Sequence, residues 1–212
     1  MDKVSVSTCI RFGWETFKKR RSIFVEALLL ATAIATIFHL AIPRPHQAAP
    51  AAAVLMVIRG LIFAAVDVLF SMGLVTFLLR AHDDVQSAKI SDLWNPEPFW
   101  RYLGGEILSS VIIFFGFVLL IVPGIIAAVG LGFFPYLIID RDMGPIDALK
   151  ESWHISKGNK WQLFLLALAT LGLNFVGFIL LVVGLLVTMP VTMLAVTHAY
   201  RTLAGRTDGN RH

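Results

Sequence analysis

The stretch LGGEILSSVIIFFGFVLLIVPGIIAAVGLGFFPYLII, from Leu103 to Ile139, decides the fold, because its 37 residues hold one charged side chain, Glu106. An α-helix rises about 1.5 Å per residue and needs about 20 apolar residues to cross roughly 30 Å of hydrocarbon. The stretch is nearly twice that length. Pro123-Gly124 divides it, and such a pair punctuates helices. It therefore reads as two spans, Leu103–Val122 and Gly124–Ile139, joined by a tight turn at Pro123-Gly124.

Four more runs of similar character lie on either side: Ser22–Ile42, Ala52–Leu79, Trp161–Val183 and Gly184–Tyr200. The 212 residues are 57% hydrophobic and 15% charged, whereas soluble domains carry about a quarter charged residues. The expectation is an all-α polytopic membrane protein of about six transmembrane helices, a single integral membrane domain over residues 1–212. The helices pair into three hairpins, with units at 10–81, 90–141 and 145–203. A cleaved signal peptide competes for the first run, since Ala51-Ala52-Ala53 follows it. Signal cores are about 7–15 residues and this run is longer, so it reads as an uncleaved span.

Sixteen of the 18 lysines and arginines fall on one side of a six-span chain; Arg44 lies in an opposite loop and Arg59 within a span. Cytoplasmic loops carry the excess of Lys and Arg, which puts both termini in the cytoplasm. The same bias accounts for the net charge of +4. No nucleic-acid motif accompanies it, so nucleic acid is not an expected partner. With Cys9 as its one cysteine, the chain cannot form an internal disulfide.

Gly116-Phe117-Val118-Leu119-Leu120-Ile121-Val122-Pro123-Gly124 aligns with Gly177-Phe178-Ile179-Leu180-Leu181-Val182-Val183-Gly184 once one residue is deleted at the proline. Trp94 and Trp100 then align with Trp153 and Trp161, and Asp140-Arg141 with Tyr200-Arg201. Ile10, Trp14 and Phe17 begin a degenerate third copy. Repeats in one orientation imply an axis along the membrane normal. Each unit enters through an amphipathic interfacial helix: in Pro145–Lys157, Ile146, Leu149, Trp153 and Ser156 share one face. Small residues recur at Ala27, Ala31 and Ala35 and at Gly124, Ala128 and Gly132, a spacing that lets membrane helices approach closely.

Leu120-Ile121-Val122-Pro123-Gly124-Ile125, Asp147-Ala148-Leu149-Lys150-Glu151-Ser152-Trp153 with Lys157-Gly158-Asn159, and Val187-Thr188-Met189-Pro190 with Tyr200-Arg201 carry a family likeness. They resemble small bacterial membrane proteins of uncharacterised function, similar to the membrane domain attached to some glycerophosphoryl diester phosphodiesterases. The likeness is strongest from Ile90 onward. It implies a multi-span protein of the bacterial inner membrane and transfers no catalytic residues.

No P-loop, H-E-x-x-H or G-x-S-x-G signature occurs, so no enzyme, cofactor or metal site is expected. His82 with Asp83 and Asp84 reads as a solvated loop, and His198 as an interfacial or interhelical hydrogen-bonding group. The candidate site is intramembrane, because charge at the bilayer centre costs at least about 2.5 kcal/mol. It centres on Asp67, with Arg59 eight residues earlier and Asn174 as a possible partner for the carboxyl; Glu26 and Glu106 lie about one turn inside their spans. Trp14, Trp94, Trp100, Trp153 and Trp161 are the expected interfacial anchors. The leading function is a non-enzymatic scaffold or accessory protein acting through membrane lipids, a protein partner or its own copies; the alternative is a small transporter or lipid-handling protein using the polar groups around Asp67, and an intramembrane enzyme comes third.

Overall fold

The computed structural model describes residues 4–41, 50–180 and 184–209, whose regular elements are all helical, with no strand among them. The elements are α1 (Val6–Lys19), α2 (Arg21–Ala41), α3 (Pro50–Asp83), a 3-10 turn (Ile90–Leu93), α4 (Phe99–Leu119), α5 (Ile121–Leu131), α6 (Phe134–Arg141), α7 (Pro145–Ile155), α8 (Lys160–Ile179) and α9 (Leu185–Gly209). Among the described residues four stretches are long and apolar enough to cross a membrane: Val54–Asp83, Phe99–Leu119, Ile121–Arg141 and Lys160–Ile179. The first and sixth expected spans are helical, as α2 and α9, but are not among these four. Arg44, Val183 of the second expected turn, and the side chains of Ala31 and Ala35 lie outside the described residues.

The turn of the deciding stretch falls three residues earlier than its proline suggests. Leu120 is extended (φ −166°, ψ 153°), and Pro123-Gly124 lies within the first turn of α5. First-turn amides have no intrahelical acceptor, so a proline there loses nothing. The expected span Gly124–Ile139 is also interrupted, at Gly132-Phe133 between α5 and α6. Ser152 of α7 serves the break: its hydroxyl donates to the Gly130 carbonyl at 2.9 Å and accepts from the Phe133 amide at 3.1 Å. Pro135, with no amide of its own, further weakens helical continuity there.

The core forms where α1, α3, α6, α7, α8 and α9 meet, around Leu79, Leu137, Leu149, Leu166, Ala195 and Tyr200. Helix α1 buries Cys9, Gly13, Thr16 and Phe17, one helical stripe, against its neighbours. A Cβ on Gly13 would lie 2.3 Å from the Val191 carbonyl oxygen, so α1 and α9 touch backbone to backbone. On α7 the stripe facing the protein is Ala148, Leu149, Ser152 and Ile155, while Ile146 and Trp153 stay exposed. The face expected from Ile146, Leu149 and Trp153 is thus rotated, because Ser152 is needed at the α5–α6 break. On α5 the buried small residues are Gly124, Ala127 and Gly130, and Gly132 is exposed. The outer sides of α3, α4 and α8 present large apolar side chains such as Leu61, Phe115, Leu119 and Phe175. Apolar area on that scale suits hydrocarbon surroundings rather than water.

Candidate functional site

The strongest polar constellation lies where α3, α6 and α9 end or pass together. The Arg201 guanidinium donates to both Asp140 carboxylate oxygens at 2.8 Å and to Asp83 at 2.5 Å. The Tyr200 hydroxyl donates to the same Asp140 carboxylate at 2.7 Å. Tyr200 is fully buried, and its ring stacks on Tyr136. Beside this, the His82 and His198 rings share a hydrogen bond of 3.1 Å, and His82 reaches Asp83 at 3.2 Å. Phe12 of α1 stacks on the His198 ring and meets the His82 ring at a tilt. His82 is therefore part of a packed interhelical cluster rather than of a solvated loop. Among the described residues no three His, Cys, Asp or Glu side chains are grouped as metal ligands.

Three arginines recur near the ends of the expected units: Arg80 in the last turn of α3, Arg141 at the end of α6 and Arg201 within α9, spaced 61 and 60 residues apart. Arg80 pairs with Asp92 in the 3-10 turn that follows α3. Arg141 pairs with Glu151 of α7, the segment that follows α6, at 3.8 Å. Arg201, the last of the three, turns inward to Asp140 and Asp83. Arg80 and Arg141 each tie a helix end to the segment that follows, Arg141 also donating to the Ala204 carbonyl of α9 at 3.1 Å, and Arg201 binds the ends of α3 and α6 to α9. Arginine suits the task because its planar fork presents several donors at once: at Arg201 one arm meets Asp140 and the other Asp83.

The intramembrane residues singled out from sequence are only partly brought together. Asp67 is exposed on α3, and its polar neighbours are Glu106 and Tyr102 of α4, with Ser71 in hydrogen-bonding reach of Tyr102. The expected partner Asn174 is elsewhere: its amide donates to Thr192 at 3.2 Å and joins α8 to α9. The pairing fails because α3 lies against α4, α6 and α9, so the carboxyl meets α4 instead. The Arg59 guanidinium sits 5.1 Å from the Phe63 ring centre, on its own helix. Glu26 is exposed on α2. Trp14, Trp94, Trp100, Trp153 and Trp161 are all exposed, between 42% and 78%.

Sequence reasoning missed the Asp83–Arg201–Asp140 hub as a contact. The signal within reach was the alignment of Asp140-Arg141 with Tyr200-Arg201, which marks equivalent places in two units but says nothing of their distance. The recurrence at Arg80 was a further signal.

The sequence model of the family described as protein of unknown function (DUF975) matches residues 54–207. The hub and the Asp67–Glu106 neighbourhood both lie inside that stretch, and α1 and α2 lie outside it. An uncharacterised protein of Mycobacterium tuberculosis is 29% identical over 156 residues, 74% of this chain and 48% of that protein. An uncharacterised protein of Mycobacterium bovis matches to the same extent. The chain spans about half the length of the curated relatives it matches. None of these matches links it to the phosphodiesterase membrane-domain family. No solved structure matches it.

Proposed function

Since the chain belongs to this family of unknown function, we propose from its own geometry a six-span protein of a bacterial inner membrane that acts as a non-enzymatic scaffold or accessory protein, through lipids or a protein partner. The carrying observation is the hub: Arg201, Asp140, Asp83 and Tyr200 are bonded to one another and hold three helices in fixed register. Groups spent on each other stabilise an architecture and are not poised toward a substrate. The recurring Arg80, Arg141 and Arg201 support three like-oriented units about an axis along the membrane normal. Exposed tryptophans on every unit support interfacial anchoring, where indole rings favour the headgroup level. Both termini are then cytoplasmic, in keeping with the segregation of basic residues. The likeness to the phosphodiesterase membrane domain belongs to this proposal and suits a lipid setting.

Topology is tested by reporter fusions after Arg21, Gln86, Asp142 and Arg206, which should all report cytoplasm, and at Gln47, which should report the opposite face. Opposite signals at Gln86 and Asp142 would break the six-span arrangement. One observation favours a second reading, a small transporter or lipid-handling protein: Asp67 and Glu106 lie within electrostatic reach of each other on adjacent helices. Neighbouring carboxyls in a poorly solvated place are a means of holding a proton or a cation. Asp67→Asn and Glu106→Gln separate the two readings, scored by complementation of a deletion phenotype. A scaffold keeps its function in both variants. Stable, inserted but inactive variants would replace it with the transporter.

A further inference from the structure

Between α7 and the start of α8 lies a cavity of about 630 Å³, lined by Lys150, Lys157 and Lys160 together with His154, Trp153 and Trp161. A second cavity of about 360 Å³ runs between α5 and α8, lined by Val122, Ile125, Ile126, Val129 and Phe164. The two share Lys160 and Trp161. No carboxylate lines either one, and nearby Glu151 is turned to Arg141. The Lys160 ammonium lies 3.0 Å from the centre of the Trp153 ring. That ring is seated in the notch left by Gly130, where a Cβ would come within 2.5 Å of it. Helix α8 begins at Lys160 with no side-chain cap, and its uncapped amides add partial positive charge at the same place.

We propose that these two cavities form one site for an anionic phospholipid, with the headgroup phosphate among Lys150, Lys157 and Lys160 and an acyl chain in the groove between α5 and α8. Three ammonium groups with no carboxylate among the residues lining the cavity select an anion. The groove offers no polar partner beyond Lys160 and Trp161, so what continues into it is hydrocarbon. Indole rings at the junction match the boundary between headgroup and chain. Free inorganic phosphate has the same headgroup chemistry but no use for the groove, and this separates the two sources. The site rests on the reading of the chain as a membrane protein that acts through lipids, and it names the lipid class.

The test uses the full chain, extracted from membranes in mild detergent and offered phosphatidylglycerol or phosphatidylcholine of equal chain length, with bound lipid read by native mass spectrometry. Phosphatidylglycerol should be retained in preference. Each lysine near an anionic group contributes on the order of fivefold, so the triple variant Lys150→Gln, Lys157→Gln, Lys160→Gln should weaken it by about a hundredfold. The corresponding triple arginine variant should keep the preference. Ile126→Trp, which fills the groove, should lower lipid retention and leave binding of inorganic phosphate unchanged. Equal retention of the two lipids, or an unaltered glutamine variant, overturns the site. So does displacement by millimolar phosphate combined with an Ile126→Trp variant that binds lipid normally, which would make it a soluble-phosphate site. Should the glutamine variant fail to fold, the arginine variant must keep the preference and Ile126→Trp must lose retention, or the site is refuted. Extraction of the chain from membranes by alkaline carbonate would sink the membrane reading itself, whereas an inserted but unselective chain sinks the lipid site alone.

Discussion

Replacing Arg201 with glutamine removes the cation that joins α3, α6 and α9. The loss is dominated by Asp140, whose side chain is 18% exposed and accepts two bonds of 2.8 Å from Arg201. The Asp83 side chain is 54% exposed, and ion pairs that open to solvent contribute about 0–1 kcal/mol. Stranding one partner of a fully buried pair costs about 3–5 kcal/mol. Asp140 keeps the Tyr200 hydroxyl and some solvent, which brings the expected destabilisation to about 2–4 kcal/mol. Adding Asp140→Asn removes the stranded charge and should recover about half of it, whereas adding Asp83→Asn should recover little. The assay is reversible denaturant unfolding in mild detergent, followed by tryptophan fluorescence, as two double-mutant cycles. Coupling of at least about 1 kcal/mol is expected for Arg201 with Asp140, and at most about 0.5 kcal/mol with Asp83. Equal coupling in both cycles, or none with Asp140, would refute the hub as the latch of these helices.

Gly73→Ala should cost at least about 1–3 kcal/mol, because its Cβ would fall 1.7 Å from the Leu93 carbonyl oxygen, a backbone atom. Gly60→Ala on the same helix meets nothing within 4 Å and should be neutral or stabilising by up to about 1 kcal/mol; the yield of folded protein on gel filtration compares the two. Ser152→Ala removes the acceptor of the Phe133 amide, while the Gly130 carbonyl still accepts from Ser156 at 3.3 Å; it should cost about 1–3 kcal/mol in the same unfolding assay, and a neutral result would deny it the role of serving the α5–α6 break. Burial pushes the Cys9 thiol up to about 11, so the thiolate that reacts with maleimide is scarce at neutral pH. Labelling should be slow in the native chain and should rise about tenfold or more in Gly13→Leu, which wedges α1 off Val191. Native labelling at the rate of a free thiol would show that α1 is not docked on α9.

The all-helical class and the bilayer-length helices could be read from Leu103 to Ile139 and the other long runs, since hydrocarbon thickness and helical rise are lengths that residue counting alone can match. Where those helices break was a tertiary matter. Pro123-Gly124 sits harmlessly in the first turn of α5, and the interruption at Gly132-Phe133 is served by Ser152, which comes from another helix. The candidate site was legible only as a list of costly residues. Hydropathy marked Asp67 as needing a neighbour, but periodicity gives a direction around one helix and not which helix lies there. The chain packs α4 against that face, and so Glu106 and Tyr102 stand beside Asp67 while Asn174 is bonded to Thr192. Asp140 and Tyr200 could be aligned as equivalent positions, yet their hydrogen bond depended on how the helices converge. Arg201 reaches Asp83 across 118 residues of chain, and a contact at that separation leaves no local pattern, because it is set by the packing of α3, α6 and α9 against one another.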